Sequence, residues 1–313
     1  MIIFIVPAYN AEKTIGKCIE SILAQNIEKE VIIVDNGSTD NTANIIKKYP
    51  VKYILETKKS PAAARNRGLK EITHQGWNPE FVCFVDSDVI LPDKWLEIAL
   101  DLLKKNQFAA GVGGPGKSIQ KDLISEVFDY LLFGFVENKK NKFVKNLATM
   151  NVVYRYECIK DIYFNENLIA GEDPDFNFRL IKKGYKLIYS EDLWVYHYHP
   201  VTISAIIKKW FNYGKYYPLP YFHNKQLLDI GLWLRLLYLP VLVLLFLLSF
   251  FYKKLIFFCL LFITILPLLY LFIGIIARIK SVQKLLIFSF IHSIKQLAHI
   301  VGIWVGIFQR TIK

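Results

Sequence analysis

In the first hundred residues, short runs of consecutive apolar residues alternate with stretches in which apolar residues recur every three or four positions. The uninterrupted runs are typical of strands buried on both faces of a parallel sheet. The recurring pattern predicts amphipathic helices. The predicted strands are Ile2–Val6, Val31–Val34, Val51–Leu55 and Phe81–Val85, and the predicted helices are Thr14–Gln25, Asp40–Lys48, Ala62–Ile72 and Asp93–Lys105.

This alternation of strand and helix predicts a doubly wound α/β domain, a class that binds ligands at the carboxyl ends of its strands. Polar clusters lie at three of those ends. They are Pro7–Asn10 after the first strand, Asp35–Asp40 after the second and Asp86–Asp88 after the fourth. We therefore expect a ligand site along this edge of the sheet.

The last third of the chain has a different pattern, with apolar runs at about 232–252, 255–277 and 285–308. The first two contain long uncharged segments, which favour membrane-spanning helices. The third carries His292, Lys295 and His299 near one helical face, which fits either a packed third helix or a helix lying in the membrane interface. We expect a catalytic domain at 1–225 and a membrane domain of two to three helices at 226–313.

An earlier apolar segment, Leu123–Val136, also has helical character. It fits either a helix of the core or a helix on the membrane surface. Of the two, we favour the helix of the core.

The net charge of +12 lies wholly in the last third, because residues 1–200 hold 26 basic and 26 acidic side chains while residues 201–313 hold 13 basic ones and Asp229. Basic residues beside apolar runs favour contact with anionic membrane lipid. Nucleic acid is not an expected partner, since its binding needs a basic face on a folded domain. The positive residues of the linker 278–284 predict a multi-pass protein of the cell membrane with a cytoplasmic catalytic domain. No oligomeric state follows from the sequence.

The triplet Asp86-Ser87-Asp88 follows the apolar strand FVCFV. Two carboxylates separated by one small residue can hold a divalent cation through oxygen ligands and leave room for a diphosphate. The same triplet also occurs at helix N-caps. Its place at a strand end strengthens the cation-site interpretation until the two interpretations are evenly balanced.

Two more polar segments in the first domain allow a structural and a functional interpretation. Asp35–Asp40 suits a strand, a turn and a helix cap, or a site where Asp35 accepts a hydrogen bond from a base or ribose. Ala62–Gly68 suits a plain amphipathic helix, or one that directs Arg65 toward a phosphate.

Two segments further along the chain are equally open. Gly171–Asp175 suits a solvated loop, or a loop that positions a carboxylate as general base. In His197–Pro200 the two imidazoles share one face of a strand, so they are either packed or able to contact a metal or diphosphate.

Taken in order, VPAYNAEKTI, EVIIVDNGSTD, PAAARNRG, FVDSD and GED resemble the successive motifs of family 2 glycosyltransferases. The resemblance covers about residues 1–200. It implies a Rossmann-like GT-A domain followed by C-terminal transmembrane helices. It also implies metal-dependent, inverting transfer of a sugar from UDP- or GDP-hexose to a lipid-linked or membrane-proximal glycan acceptor, with Mn²⁺ or Mg²⁺. The alternatives are a processive polysaccharide synthase subunit and a polyprenyl-phosphate glycosyl synthase.

The resemblance also implies roles for individual residues. Asp173 would be the catalytic base that deprotonates the acceptor. The nucleotide-sugar would contact Pro7, Tyr9, Glu12, Asp35, Arg65, Asp86 and Ser87. The metal would be held by Asp86, Asp88 and His199, and the acceptor side would be shaped by Glu172, Asp175 and His197.

Some positions depart from the family pattern. Asn36 stands where a second acid is frequent, and Ser60 stands where a glycine is common. The segment Ile207–Trp210 lacks the Gln and Arg of the Q-x-x-R-W signature of processive synthases. This last departure favours transfer of a single sugar.

Overall fold

The computed structural model describes residues 1–119, 141–168, 170–198, 202–216, 230–252 and 281–311, with single positions in the segments between them. The predicted metal ligand His199 and most of the segments Leu123–Val136 and 255–277 lie outside these residues. The chain forms two compact units. Unit 1 comprises Met1–Ile119 and Val136–Tyr198, and unit 2 comprises Gln120–Phe135 and His199–Lys313. A domain boundary between residues 225 and 226 stays a prediction.

Unit 1 is built around a mixed sheet. Its strands are β1 (Ile2–Ala8), β2 (Lys29–Asp35), β3 (Lys52–Leu55), β4 (Phe81–Val85), β5 (Val89–Ile90), β6 (Ala109–Gly113), β7 (Gly116–Ser118), β8 (Lys142–Val144), β9 (Asn151–Arg155), β10 (Lys186–Tyr189) and β11 (Val195–His197). The large sheet has the order β3-β2-β1-β4-β9-β6-β10-β8. Strands β3, β2, β1 and β4 are parallel, as the apolar runs predict. Strand β9 then lies antiparallel to both β4 and β6, so the sheet is not uniformly parallel.

Helices cover this sheet and bury its strands. They are α1 (Ile15–Leu23), α2 (Thr42–Ile46), α3 (Pro61–His74), α4 (Trp95–Lys105), α5 (Tyr156–Ile159) and α6 (Glu172–Lys182). Helix α1 buries Ile15, Cys18, Ile19 and Ile22, the face that its periodicity predicts. Every residue of β4 is buried, which explains its unbroken apolar sequence.

A second, smaller sheet lies at the polar end of β4. Strand β11 pairs antiparallel with β5 and parallel with β7. Its register places His197 opposite Val89, one residue after the Asp86–Asp88 triplet. This pairing is what brings the end of unit 1 to the acidic triplet.

Unit 2 is helical, with α7 (Ile203–Tyr216), α8 (Ile230–Ser249) and α9 (Val282–Thr311). Helices α7 and α9 meet backbone to backbone through three glycines. A β-carbon on Gly214 would collide with the carbonyl of His299, and β-carbons on Gly302 and Gly306 would collide with the carbonyls of Phe211 and Lys215. Small residues four apart allow such close approach of two helices in membranes.

The predicted membrane segments are represented in part. Within the described part of the chain, the helix Val282–Gln309 is long enough and apolar enough to cross a membrane. The apolar helical stretch Leu234–Ser249 is shorter. One candidate span is therefore present, while a bundle of several spans remains a prediction.

Candidate active site

The acidic triplet occupies the turn between β4 and β5. The backbone N–H of Val89 donates to the carbonyl of Asp86 at 3.1 Å and closes this turn. Underneath, the thiol of Cys18 lies 3.5 Å from the same carbonyl oxygen. The next helix, α4, begins only at Trp95, so the triplet is not a helix N-cap. The strand end thus presents both carboxylates at the edge where a ligand site is predicted.

Arg65 is the centre of a charged cluster. Its guanidinium, which is 4% exposed, lies on α3. It donates to Asp86 Oδ1 at 2.9 Å and to Glu172 Oε1 at 3.1 Å, and it lies 3.9 Å from Asp173 Oδ1. The ring of Phe164 lies 5.6 Å from the guanidinium carbon. One cation therefore joins carboxylates from the end of β4 and from the start of α6.

Burial and mutual charge alter the acidity of this cluster. Burial lowers the pKa of Arg65, but the charges of Asp86, Asp173 and Glu172 outweigh it and raise this pKa above its usual value. Burial, followed by the charge of Asp173, raises the pKa of Glu172 from its usual 4.5 to about 7 despite the pull of Arg65. Burial together with Asp88 and Asp173 also raises the pKa of Asp86. The site holds more negative charge than one guanidinium neutralises, as expected where a cation binds.

Asp173 is held in place by Thr149. The hydroxyl of Thr149 donates to Asp173 Oδ1 at 2.7 Å, and its backbone N–H donates to Oδ2 at 3.1 Å. The side chain of Asn177 donates to the backbone carbonyls of Asp173 at 2.9 Å and Leu147 at 2.8 Å. Tyr154 in turn donates to the Asn177 side-chain oxygen at 2.6 Å. Sequence analysis identifies Asp173 but misses this support, because its members are distant in sequence and carry no motif.

His197 contacts the second carboxylate of the triplet. Its Nε2 lies 3.3 Å from Asp88 Oδ1, and the imidazole is 6% exposed. The backbone N–H of Tyr198 also donates to the carbonyl of Asp88 at 3.0 Å. Ser87 is half-buried between the two carboxylates. The structure thus brings His197, Asp88, Asp86, Arg65 and the first turn of α6 together in unit 1.

The residues at the ends of β1 and β2 form a second group. Asp35 is 2% exposed, and its carboxylate accepts hydrogen bonds from the Ser38 N–H at 2.9 Å and the Tyr53 hydroxyl at 3.0 Å. Glu12 accepts from the N–H of Asn41 at 3.1 Å. Tyr9 is exposed, and the half-buried Pro7 lies in β1. This group is largely satisfied by its own loops.

The two departures from the family pattern have structural reasons. The Asn36 amide donates to the carbonyls of Glu56 and Lys58 at 3.2 and 2.7 Å, and its oxygen accepts from the Ser60 N–H at 2.9 Å. A carboxylate could not make the two donations. Ser60 caps α3, since its hydroxyl accepts from the Ala63 N–H at 3.5 Å. Both residues fix the loop that leads into the helix of Arg65.

Asp175 lies on α6 but makes a different contact. Its Oδ2 accepts from Arg179 at 3.0 Å and 2.8 Å, one helical turn away. Arg179 also donates to the carbonyl of Tyr163 at 2.7 Å. Among the described contacts, those of Asp175 do not include the guanidinium of Arg65.

A divalent cation fits the donors at the triplet. Mg²⁺ is commonly bound by one or two carboxylates together with waters and substrate phosphates. Asp88 is 40% exposed and offers hard oxygen ligands, while Asp86 is engaged by Arg65. Within the described residues no three His, Cys, Asp or Glu side chains are grouped as a complete metal site. The donor set suits a cation that is held jointly with the diphosphate of a substrate.

Comparison with known proteins identifies related chains. The family model described as Glycosyl transferase family 2 matches residues 3–168. Glycosyltransferase AglE of Haloferax volcanii is 27% identical over 252 residues, which cover 75% of this chain and 80% of that protein. A Methanococcus voltae protein named dolichyl N-acetyl-alpha-D-glucosaminyl phosphate 3-beta-D-2,3-diacetamido-2,3-dideoxy-beta-D-glucuronosyltransferase is 27% identical over 232 residues, 67% of this chain and 70% of that one.

Among solved structures, mannosyltransferase PcManGT of Pyrobaculum calidifontis, in complex with GDP-Man and Mn²⁺, superimposes with a TM-score of 0.54 at 18% identity. The match covers 73% of this chain and 65% of that one, just under two thirds of its length. This similarity shows a shared fold, which confirms the predicted GT-A-like architecture.

Proposed function

Because this chain belongs to glycosyl transferase family 2, we propose that it moves a hexose from UDP or GDP onto a lipid-linked or membrane-proximal glycan. Its class of activity, glycosyl transfer, follows from the family and from the named relatives. The donor, the acceptor and the residue roles given below are parts of the proposal.

The observation that carries the proposal is the position of Arg65 between two sets of carboxylates. We assign Asp86 and Asp88 to the donor side, and Glu172 and Asp173 to the acceptor side. One guanidinium contacts Asp86 at 2.9 Å and Glu172 at 3.1 Å. A site of this kind can hold the diphosphate of a donor and a nucleophile close together.

The proposed reaction is a direct displacement with inversion at the anomeric carbon. The acceptor hydroxyl oxygen attacks that carbon, and its proton passes to the carboxylate of Asp173. The bond between the anomeric carbon and the nucleoside diphosphate breaks, and the diphosphate leaves with the electron pair. Thr149 holds the Asp173 carboxylate through both oxygens, which fixes its orientation for proton transfer.

Other residues bind and orient the donor. We assign the nucleotide to the ends of β1 and β2, with Pro7, Tyr9, Glu12 and Asp35, and the diphosphate side to Arg65 and Ser87. Asp86 and Asp88 would hold a divalent cation, Mn²⁺ or Mg²⁺, which neutralises the charge of the leaving diphosphate. His199 stays a predicted additional ligand, which the family resemblance alone implies.

The acceptor side is assigned to the first turn of α6 and the end of β11. Glu172 and His197 lie beside the donor carboxylates, and Asp175 steadies the helix through Arg179. An apolar helix at Val282–Gln309 and the basic last third favour a membrane location with a cytoplasmic active site. A lipid-linked acceptor fits this location.

The test of Asp173 is the variant Asp173→Asn, which keeps the shape but removes the base. We expect transfer to a hydroxyl acceptor to fall by about 10²- to 10⁴-fold. Donor binding, measured by thermal shift with and without Mn²⁺, should persist. The matched control is Asp101→Asn, which alters an exposed aspartate on α4 and should transfer at the wild-type rate. Full activity of Asp173→Asn would remove Asp173 as the base.

A second candidate, a polyprenyl-phosphate glycosyl synthase, is favoured by one observation. Both oxygens of Asp173 already accept hydrogen bonds from Thr149, which suits a positioning group. A phosphate acceptor is ionised near neutral pH and needs no base. If polyprenyl phosphate is the acceptor, Asp173→Asn should retain most of its transfer activity to polyprenyl phosphate. The variant should lose only the transfer activity to hydroxyl acceptors.

A further inference from the structure

Helix α9 is apolar overall but buries polar side chains along one face. Ser289, His292, Ser293, Lys295 and His299 are each between 5% and 7% exposed. The hydroxyl of Ser293 donates to the carbonyl of Ser289 at 2.7 Å, within the helix. The hydroxyl of Ser289 likewise donates to the carbonyl of Pro267 at 2.5 Å, so the buried side chain that needs explanation is Lys295.

The ammonium of Lys295 lies against an aromatic ring of the neighbouring helix. Its Nζ lies 4.0 Å from the ring centroid of Trp210 on α7. The ring of His299 lies 6.1 Å from the same indole. Because the glycine contacts hold α7 and α9 backbone to backbone, this arrangement is set by the helix pair itself.

Two donors in this cluster have no acceptor among the described residues. The indole N–H of Trp210 is buried without a hydrogen-bond partner there. Lys295 is 7% exposed, and within the described part of unit 2 its ammonium has the ring of Trp210 as its contact and no carboxylate within ion-pair distance. A buried ammonium without a counter-charge is costly, and so is a buried donor without an acceptor.

The surrounding charge is positive. Arg235 on α8 is close enough for its charge to act on both Lys295 and His299, and Lys295 acts in the same way on His292. Residues 201–313 contain 13 basic side chains and one acid. Asp129, a described acidic side chain in unit 2, is not among the charges acting on Lys295. Among the described residues, basic side chains therefore gather here and no carboxylate acts on Lys295.

We propose that this cluster, formed by Trp210, Arg235, His292, Lys295 and His299, binds a phosphate group carried by a lipid. A phosphate offers several charged oxygen acceptors, which match an ammonium, a guanidinium and an indole N–H. The opposite face of α9 exposes Leu286, Phe290, Leu297 and Val301, an apolar surface that suits contact with a bilayer. A helix beside a bilayer meets phosphates that are carried by lipids, which favours a lipid phosphate over a free one.

The experiment measures binding rather than sugar transfer, so its outcome does not depend on the proposed function. The full chain is purified in detergent and placed in phosphatidylcholine nanodiscs. One set of nanodiscs contains phosphatidylcholine only, a second also contains phosphatidylglycerol, and a third also contains polyprenyl phosphate. Inorganic phosphate is added to a further sample of the phosphatidylcholine nanodiscs. Native mass spectrometry counts retained lipid, and thermal shift reports stabilisation by each probe.

Two variants test the cluster, and a third variant serves as the control. Lys295→Met removes the charge and keeps an apolar side chain of similar length, while Trp210→Phe keeps the ring and removes the N–H. We expect Lys295→Met to bind lipid phosphate about tenfold more weakly and Trp210→Phe to bind it several-fold more weakly. Lys208→Gln, which alters an exposed lysine of α7, should bind like wild type.

The relative retention of the two lipids identifies the source of the phosphate. Preference for polyprenyl phosphate identifies a lipid-linked substrate, and equal retention of phosphatidylglycerol identifies a general membrane headgroup. Both outcomes support the site. Wild-type binding by Lys295→Met, equal effects of inorganic phosphate and lipid, or no binding of either lipid to the wild type would each overturn it.

Discussion

Arg65 and Lys295 are both buried basic side chains, but their surroundings are opposite. Arg65 is shared by three carboxylates, at 2.9, 3.1 and 3.9 Å. Lys295 lies on an indole ring, and the charge of Arg235 acts on it. A buried cation is stabilising only where its charge is balanced. The first cation is balanced within its own unit, while the second has no balancing carboxylate among the described residues.

The largest effect is expected for Arg65→Met. This variant leaves Asp86, Glu172 and Asp173 as a cluster of half-buried carboxylates without a cation. The free energy of unfolding should fall by about 3–5 kcal/mol, as when one partner of a buried ion pair is removed. Urea denaturation without metal measures it. Arg67→Met on the same helix, whose side chain is 38% exposed, should change stability by less than about 1 kcal/mol. Equal losses in the two variants would contradict a special role of Arg65.

A smaller effect is expected for the pH dependence of Glu172. Its pKa is raised to about 7, so the folded state binds this proton more tightly than the unfolded chain. The resulting stabilisation is fully present below the usual pKa of 4.5 and is lost as the pH rises through about 7. Between about pH 4.5 and pH 8, the free energy of unfolding of the wild type should therefore fall by about 1–3 kcal/mol relative to that of Glu172→Gln.

Thermal unfolding across that pH range, with a chelator present, checks the effect. Glu157→Gln is the matched control, since Glu157 pairs with Lys160 on the surface and its side chain is 75% exposed. Its pH profile should parallel that of the wild type. A Glu172→Gln profile that also parallels the wild type would show that Glu172 does not titrate in this range.

The smallest effect, and the one of opposite sign, is expected for Lys295→Met. In detergent without anionic lipid, replacing an unbalanced buried ammonium by an apolar side chain should leave the stability unchanged or raise it by about 1 kcal/mol. The melting temperature in the presence and absence of anionic lipid measures this. A loss of stability as large as that expected for Arg65→Met would show that the charge of Lys295 is balanced as fully as that of Arg65. That result would contradict the difference proposed between the two sites.

Strands β1 to β4 and the helices between them were predictable because each run is decided by local periodicity. The place of the Asp86 triplet at the end of a buried strand was predictable from the apolar run before it, while its role as a ligand site stays a prediction. The roles of Thr149 and Asn177 were not predictable. Thr149 contacts Asp173, which lies 24 residues further along the chain. Asn177 donates hydrogen bonds to the loop of residues 146–149, which is also distant in sequence. The mixed order of the sheet after β4 was also beyond local patterns, because β9 pairs with strands far from it in sequence.

The sequence by itself determined the α/β class of unit 1, the family, the basic apolar character of the last third and the identity of the acidic motifs. Periodicity, composition and short motifs are local properties, and each can be read without knowing what packs where. The tertiary structure decided that Arg65 joins the carboxylates of Asp86 and Glu172, that Asn36 and Ser60 fix its helix, and that Asp35 accepts hydrogen bonds from its own loop and from β3. It also decided that Lys295 is buried against Trp210, because the energy of a buried charge depends on its neighbours in space.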